Sequence, residues 1–137
     1  MKKFEEFRDS FELAKGCSSA VVLDQNLRAL KTALEHEGYK VVMPQTGASD
    51  AEIKELASRG WTILTANSRD FVDDAARFDY DVISVEDIKF IDTKSDSGNQ
   101  TVAKIAGAMR RSQLATRKGN FLLTIHDDGS FHLRQLV

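Results

Sequence analysis

The chain has 137 residues, a formal net charge of −2 and 42% hydrophobic residues. This length fits one domain with a sizeable core, and this composition excludes disordered and fibrous proteins. A single cysteine excludes an internal disulfide, and the lack of a signal-peptide pattern leads us to expect a cytoplasmic protein. No apolar run approaches the length of a membrane span, so we expect no role inside a membrane.

The first predicted element is an amphipathic helix over residues 1–16. Phenylalanines recur there at near-helical spacing between charged residues. The apolar face of this helix fits either its own domain or a second subunit of a homodimer.

Strand and helix patterns alternate through the predicted core, residues 19–91. Short β-branched apolar runs predict buried strands, and the segments between them repeat apolar residues at helical spacing. In chain order we expect a strand at 19–24, a helix at 25–38, a strand at 39–43, a helix at 49–60, a strand at 61–65, a short helix around 69–78 and a strand at 80–85. Because parallel neighbours need crossovers, this order predicts a three-layer α/β domain with a central parallel sheet flanked by helices.

The closing part of the chain, residues 99–137, follows a polar stretch at 93–100 that predicts a loop. Segment 99–120 holds five Lys or Arg and no acid, so it is basic. Its apolar stripe predicts a helix and consists of Val102, Ile105, Ala106 and Met109. Two alternating arms around Asp127, Asp128 and Gly129 then predict a β-hairpin. We find no repeat or linker, so residues 1–137 are predicted to form a single domain.

Carboxylates follow two of the predicted strands. Asp24 closes the first strand, and Asp70 follows the third by five residues. Ligands bind open α/β sheets past the carboxyl ends of strands where the strand order reverses, so adjacent first and third strands would place both acids at one crevice. Asp50 or Glu52, at the start of the intervening helix, would add a third carboxylate. Such oxygen ligands suit Mg²⁺ and phosphodiester hydrolysis.

Helix capping is the alternative interpretation of each acid. Ser49 and Glu52 fit a capping box, and Asp70 fits an N-cap of the short helix. Asp24 likewise fits a cap of the helix that follows it. The sequence leaves both interpretations open.

The stretch TANSRDF, residues 65–71, resembles the T-x-N-x-x-D-F signature that ends a core strand in PIN-domain ribonucleases, including VapC-type toxins. VVLDQNL, residues 21–27, looks like the opening strand of that family with its first catalytic Asp. Residues 33–71 are also similar to small bacterial PIN-like proteins with a G-x-x-V strand and an S-D-x-E-I helix start. The resemblance covers residues 19–91, and the closing hairpin is more loosely similar.

This resemblance implies a metal-dependent endoribonuclease that binds Mg²⁺ or Mn²⁺, acts on RNA and, as a toxin, pairs with a cognate antitoxin protein. Thr65 and Asn67 would hold the loop at the strand end. By position, the catalytic acids that it implies are Asp24, Asp50 or Glu52, and Asp70, of which Asp24, Glu52 and Asp70 would hold the metal.

The sequence departs from the family pattern at two points. Gln25 stands where the PIN-like opening has Glu, and no motif identifies a fourth acid, for which Asp73, Asp74 and Asp87 are candidates. The alternative function is therefore a catalytically weakened PIN-like module that binds RNA or protein. A receiver-like signalling domain is a further alternative, although its third strand would have to end in an acid, and here it ends at Thr65.

Basic residues and two histidines complete the candidates. Contacts with RNA phosphates are predicted for Arg69, Arg110, Arg111 and Lys118, with a solvated helix face as the alternative. His126 and His132 flank the predicted hairpin turn, where surface histidines are commoner than metal ligands.

Overall fold

The computed structural model describes residues 20–58, 60–89 and 98–137. The predicted N-terminal helix at 1–16 and most of the predicted loop at 93–100 lie outside these residues. Across the described part of the chain, none of the helices is both long and apolar enough to traverse a membrane.

Six strands form one sheet. They are β1 (Ala20–Leu23), β2 (Lys40–Val42), β3 (Thr62–Thr65), β4 (Asp81–Ser84), β5 (Asn120–Ile125) and β6 (Phe131–Leu136). The order across the sheet is β2-β1-β3-β4-β5-β6. The first five strands in this order are parallel to one another, and β6 pairs antiparallel with β5. The predicted α/β class, the parallel sheet and the C-terminal hairpin are confirmed.

Helices connect the parallel strands. A 3₁₀ helix (Gln25–Leu30) runs into α1 (Lys31–His36), followed by α2 (Asp50–Ala57), α3 (Arg69–Val72), α4 (Ala75–Phe78), α5 (Gly98–Ser112) and a second 3₁₀ helix (Leu114–Thr116). The helix predicted around 69–78 is therefore two short helices. Gly38 ends the first connection with φ 96°, a left-handed conformation that glycine adopts without steric cost.

Each strand contributes to two cores, because successive side chains point to opposite faces of a sheet. One core holds Leu23, Leu64 and Ile83 together with the first helices and α5; the other holds Val22, Ile63 and Val82 with α2, α3 and α4. The predicted apolar stripe of α5 is buried throughout. Helices therefore cover both faces, as the three-layer prediction required.

The strand order reverses between β1 and β3. β2 lies on one side of β1 and β3 on the other, so successive crossovers leave in opposite directions and open a crevice past the carboxyl ends of these strands. Leu23 pairs with Leu64 in the register of these strands. The residues that follow, Asp24 and Thr65, therefore lie side by side at the edge of this crevice.

Candidate active site

Asp24 is held at the end of β1 by a neighbouring strand. Thr65 Oγ1 donates to Asp24 Oδ2 at 2.8 Å, and Thr65 is fully buried. The Asp24 backbone N–H extends the ladder to the Leu64 carbonyl at 3.0 Å. The Asp24 side chain makes no capping hydrogen bond to the 3₁₀ helix that follows. Side-chain capping therefore does not explain this acid, and its carboxylate serves a contact between strands.

Asp70 is held by the loop that leaves β3. The Asn67 backbone N–H donates to Thr65 Oγ1 at 2.9 Å, and Asn67 Nδ2 donates to Asp70 Oδ2 at 2.6 Å. The N-cap residue of α3 is Ser68, so the predicted N-cap role of Asp70 is wrong. A continuous chain of hydrogen bonds joins Asp24, Thr65, Asn67 and Asp70.

Glu52 has a different role. Ser49 Oγ accepts from the Glu52 backbone N–H at 3.2 Å, while Glu52 Oε1 accepts from the Ser49 backbone N–H at 3.3 Å. The capping box predicted from the sequence is confirmed. Asp50 lies exposed in the first turn of α2. Within the described residues, no hydrogen bond or ion pair joins Asp50 or Glu52 to Asp24.

Glu86 is an acid at this edge that the sequence analysis missed. It lies two residues past β4, which neighbours β3, and its Oε1 accepts from the Ser68 backbone N–H at the start of α3. Partial burial opposes ionisation of Glu86, but hydrogen bonds from Ser68 and Ser84 and the charge of Arg69 outweigh it, so its pKa lies below the ordinary value. Its position just past a strand end was the available signal. We call Asp24, Asp70 and Glu86 the acidic edge.

Two of the three acids considered as a fourth ligand have partners outside the acidic edge. Asp74 Oδ2 pairs with Lys54 Nζ at 2.8 Å, and this hydrogen bond lowers the pKa of Asp74. Asp87 Oδ2 lies 3.1 Å from His126 Nδ1. Asp73 is exposed in the turn after α3. Neither Asp74 nor Asp87 is bonded to the acidic edge; each has a basic partner of its own.

Arg69 is the basic candidate placed beside the acidic edge. It begins α3 next to Asp70, and its charge acts on Glu86. Arg69 is therefore the predicted basic residue whose charge acts on a carboxylate of this edge.

The other basic candidates are more distant or otherwise engaged. Arg110 lines a depression with Tyr39, which directly precedes β2 and so lies at the amino end of that strand. Arg111 Nη2 donates to the Gly129 carbonyl at 2.7 Å, and its guanidinium lies over the Phe131 ring. Lys118 is exposed in the segment that leads into β5. The basic segment therefore does not gather its cations at the acidic edge.

The donor atoms of the acidic edge fit a hard divalent cation. All are carboxylate oxygens, the type of ligand that Mg²⁺ prefers. Among the residues that the structure describes, no three His, Cys, Asp or Glu side chains are grouped to hold a metal ion. A metal held here would be bound by one or two carboxylates and keep several waters, which is the usual manner for Mg²⁺.

Comparisons with protein-family models, curated proteins and solved structures gave no match. The resemblance of residues 65–71 to the PIN-domain signature therefore stays a prediction, and the site is interpreted from its own geometry.

Proposed function

We propose that this chain is a metal-dependent endoribonuclease of PIN type that hydrolyses RNA phosphodiester bonds at the acidic edge. One observation carries the proposal: hydrogen bonds join Asp24, Thr65, Asn67 and Asp70 across the point where the strand order reverses. Two acids 46 positions apart in the sequence are oriented by polar residues between them, and a helix cap accounts for neither side chain.

Asp24 and Asp70 are the residues that would hold Mg²⁺ or Mn²⁺. When bound, such an ion polarises a phosphate oxygen and activates water. Thr65 fixes the direction of the Asp24 carboxylate because its hydroxyl accepts from Asn67 and can point its proton only toward Asp24. Asn67 similarly orients Asp70. This preorganisation keeps both carboxylates in one geometry before RNA arrives.

Glu86 and Arg69 support the same edge. Glu86 accepts the Ser68 N–H and so holds the start of the helix that carries Asp70. Arg69 supplies the positive charge that a phosphodiester needs beside three acids. Glu86 is thus a positioning residue, and Arg69 a contact for the substrate.

The proposal is tested with purified protein and single-stranded RNA in the presence of Mn²⁺ or Mg²⁺. Cleavage is expected in the parent and is expected to fall to background in Asp24→Asn and in Asp70→Asn. Asp73→Asn, which removes an exposed acid three residues from Asp70, is the matched control and should cleave like the parent. Cleavage that persists in both folded variants would refute the site.

Toxin activity is the finer part of the proposal and rests on the resemblance of residues 65–71. Expression of the parent in bacteria is expected to arrest growth, and Asp24→Asn to relieve the arrest. A cytoplasmic location and a cognate antitoxin that co-purifies with the chain belong to the same proposal. Equal growth arrest by the parent and by Asp24→Asn would show that the toxicity does not depend on cleavage at this site.

A second candidate is a PIN-like module that binds RNA without cleaving it. Gln25 favours it, because its side-chain amide donates to the Gln45 carbonyl where the PIN-like opening has a carboxylate. This position therefore holds a loop and adds no charge to the crevice. Calorimetry decides between the candidates: RNA binding without Mn²⁺ binding at concentrations on the order of millimolar would favour the second.

A further inference from the structure

The hairpin places two histidines on one face. His132 pairs with Thr124 in the register of β5 and β6, and His126 lies two residues past Thr124. Because side chains two positions apart share a face, both imidazoles leave the same side of the hairpin. Gly129, at φ 88°, provides the tight turn between them. His126 Nε2 and His132 Nδ1 are in hydrogen-bond contact, with ring centroids 4.7 Å apart and planes at 82°.

Asp87 orients this pair. Its Oδ2 lies 3.1 Å from His126 Nδ1, so in a neutral ring Nδ1 carries the proton and donates it to the carboxylate. The Nε2 lone pair of His126 then faces His132 and accepts its Nδ1 proton. A carboxylate that fixes the tautomer of an imidazole is the usual outer partner of a metal-bound histidine. We call Asp87, His126 and His132 the histidine cluster.

The surroundings favour a cation over an anion. The cluster lines an open depression together with Lys89, Asp127, Asp128 and Ser130, so its described lining carries three carboxylates and one lysine. Imidazole nitrogens select Zn²⁺, Ni²⁺ and Cu²⁺ over Mg²⁺, whereas the acidic edge offers oxygen alone.

We propose that His126 and His132 bind a divalent transition-metal ion such as Zn²⁺ or Ni²⁺ through Nε2 and Nδ1, with Asp87 as the orienting carboxylate. On binding, the His132 proton moves from Nδ1 to Nε2, so both rings stay neutral and both facing lone pairs reach the metal. Zn–N bonds of about 2.0–2.1 Å place the two nitrogens roughly 3.3 Å apart, and His132, which is exposed, has room to withdraw by that amount. In the described part of the chain no third His, Cys, Asp or Glu joins them in a metal-binding group, so water completes the coordination.

The chain supplies its own control. It has three histidines, and the third, His36, lies exposed at the end of α1. Calorimetric Zn²⁺ titration of the full chain, with any affinity tag removed and with excess Mg²⁺ to occupy the acidic edge, is expected to give one saturable Zn²⁺ site. His126→Ala and His132→Ala should each abolish it, His36→Ala should leave it unchanged, and Asp87→Asn should weaken it about 10-fold to 100-fold.

A second readout guards against misfolded variants. Co²⁺ added to the parent should show d–d bands shifted and strengthened relative to free Co²⁺, a change that His132→Ala lacks, and Zn²⁺ should raise the melting temperature of the parent but not that of the folded double variant. Asp24→Asn should bind Zn²⁺ like the parent, because the acidic edge is a separate site. Absence of saturable Zn²⁺ binding, or equal binding by parent and double variant, would overturn the proposal.

Discussion

Thr65 Oγ1 donates a 2.8 Å hydrogen bond to Asp24 Oδ2 and thereby joins two residues 41 positions apart in the sequence. The same hydroxyl accepts the Asn67 N–H, so one buried oxygen links the end of β1 to the loop that carries Asp70. Both contacts require an oxygen at this position. The geometry of the proposed catalytic acids therefore depends on Thr65.

Thr65→Val keeps the shape of the side chain but removes the hydroxyl. We expect the free energy of unfolding to fall by about 1–3 kcal/mol, because Asp24 loses a donor and the Asn67 N–H loses its acceptor. RNA cleavage should fall by more than the loss of folded protein accounts for, because the Asp24 carboxylate is no longer oriented. Thr65→Ser keeps the oxygen and is the control. Urea unfolding and cleavage assays on both variants test this, and equal behaviour of Val and Ser at this position would contradict it.

Glu52→Gln separates capping from metal binding. Gln keeps an oxygen for the Ser49 N–H, so the capping box and the stability should be retained while the charge is lost. Cleavage should stay close to the parent level, since Glu52 is engaged in the cap. Ser49→Ala, in contrast, should lower the free energy of unfolding by about 1 kcal/mol. If Glu52→Gln loses cleavage at unchanged stability, Glu52 is a metal ligand as the family resemblance implied.

Glu86 should make the fold sensitive to acid. Its folded-state pKa lies below the ordinary value of 4.5, so on acidification the unfolded chain takes up the proton first. The stabilisation is present above about pH 4.5 and is lost as pH falls through the folded pKa. Asp74 and Asp128, whose pKa values are also lowered, act in the same direction.

Glu86→Gln isolates this contribution, because Gln still accepts the Ser68 N–H but does not titrate. Urea unfolding at neutral pH and at about pH 3 should show a smaller loss of stability in the variant than in the parent. Identical pH dependence in the two proteins would show that the Ser68 hydrogen bond does not favour ionised Glu86.

Gln25→Glu introduces the residue that the PIN-like opening has at this position. A carboxylate cannot donate to the Gln45 carbonyl, so we expect a modest loss of stability. The added negative charge beside Asp24 should strengthen Mn²⁺ binding and raise cleavage, because a bound cation relieves the repulsion between the two carboxylates. Calorimetry and cleavage assays measure both. Weaker Mn²⁺ binding in the folded variant would show that Gln25 does not limit the site.

Within the described residues the sequence by itself determined the strands, the closing helix and the capping box, whereas the helix predicted around 69–78 is two short helices. Apolar periodicity and helix-start signals are properties of neighbouring residues, so the parallel strands, the α5 stripe and the pairing of Ser49 with Glu52 could be predicted locally. Asp24 and Asp70 were identifiable for the same reason, since Asp24 directly follows its predicted strand and Asp70 follows the third strand by five residues.

Only the tertiary structure decided which polar groups meet. The β1–β3 register brings Thr65 to Asp24, and the β3–β4 pairing brings Glu86, not Asp87, to the start of α3. The β5–β6 register sets His132 beside His126. These contacts join separate strands or loops, and local periodicity carries no information about sheet register. Two of the three acids of the acidic edge could therefore be identified from the sequence. Its hydrogen-bond network and the histidine cluster follow from the packing of the sheet.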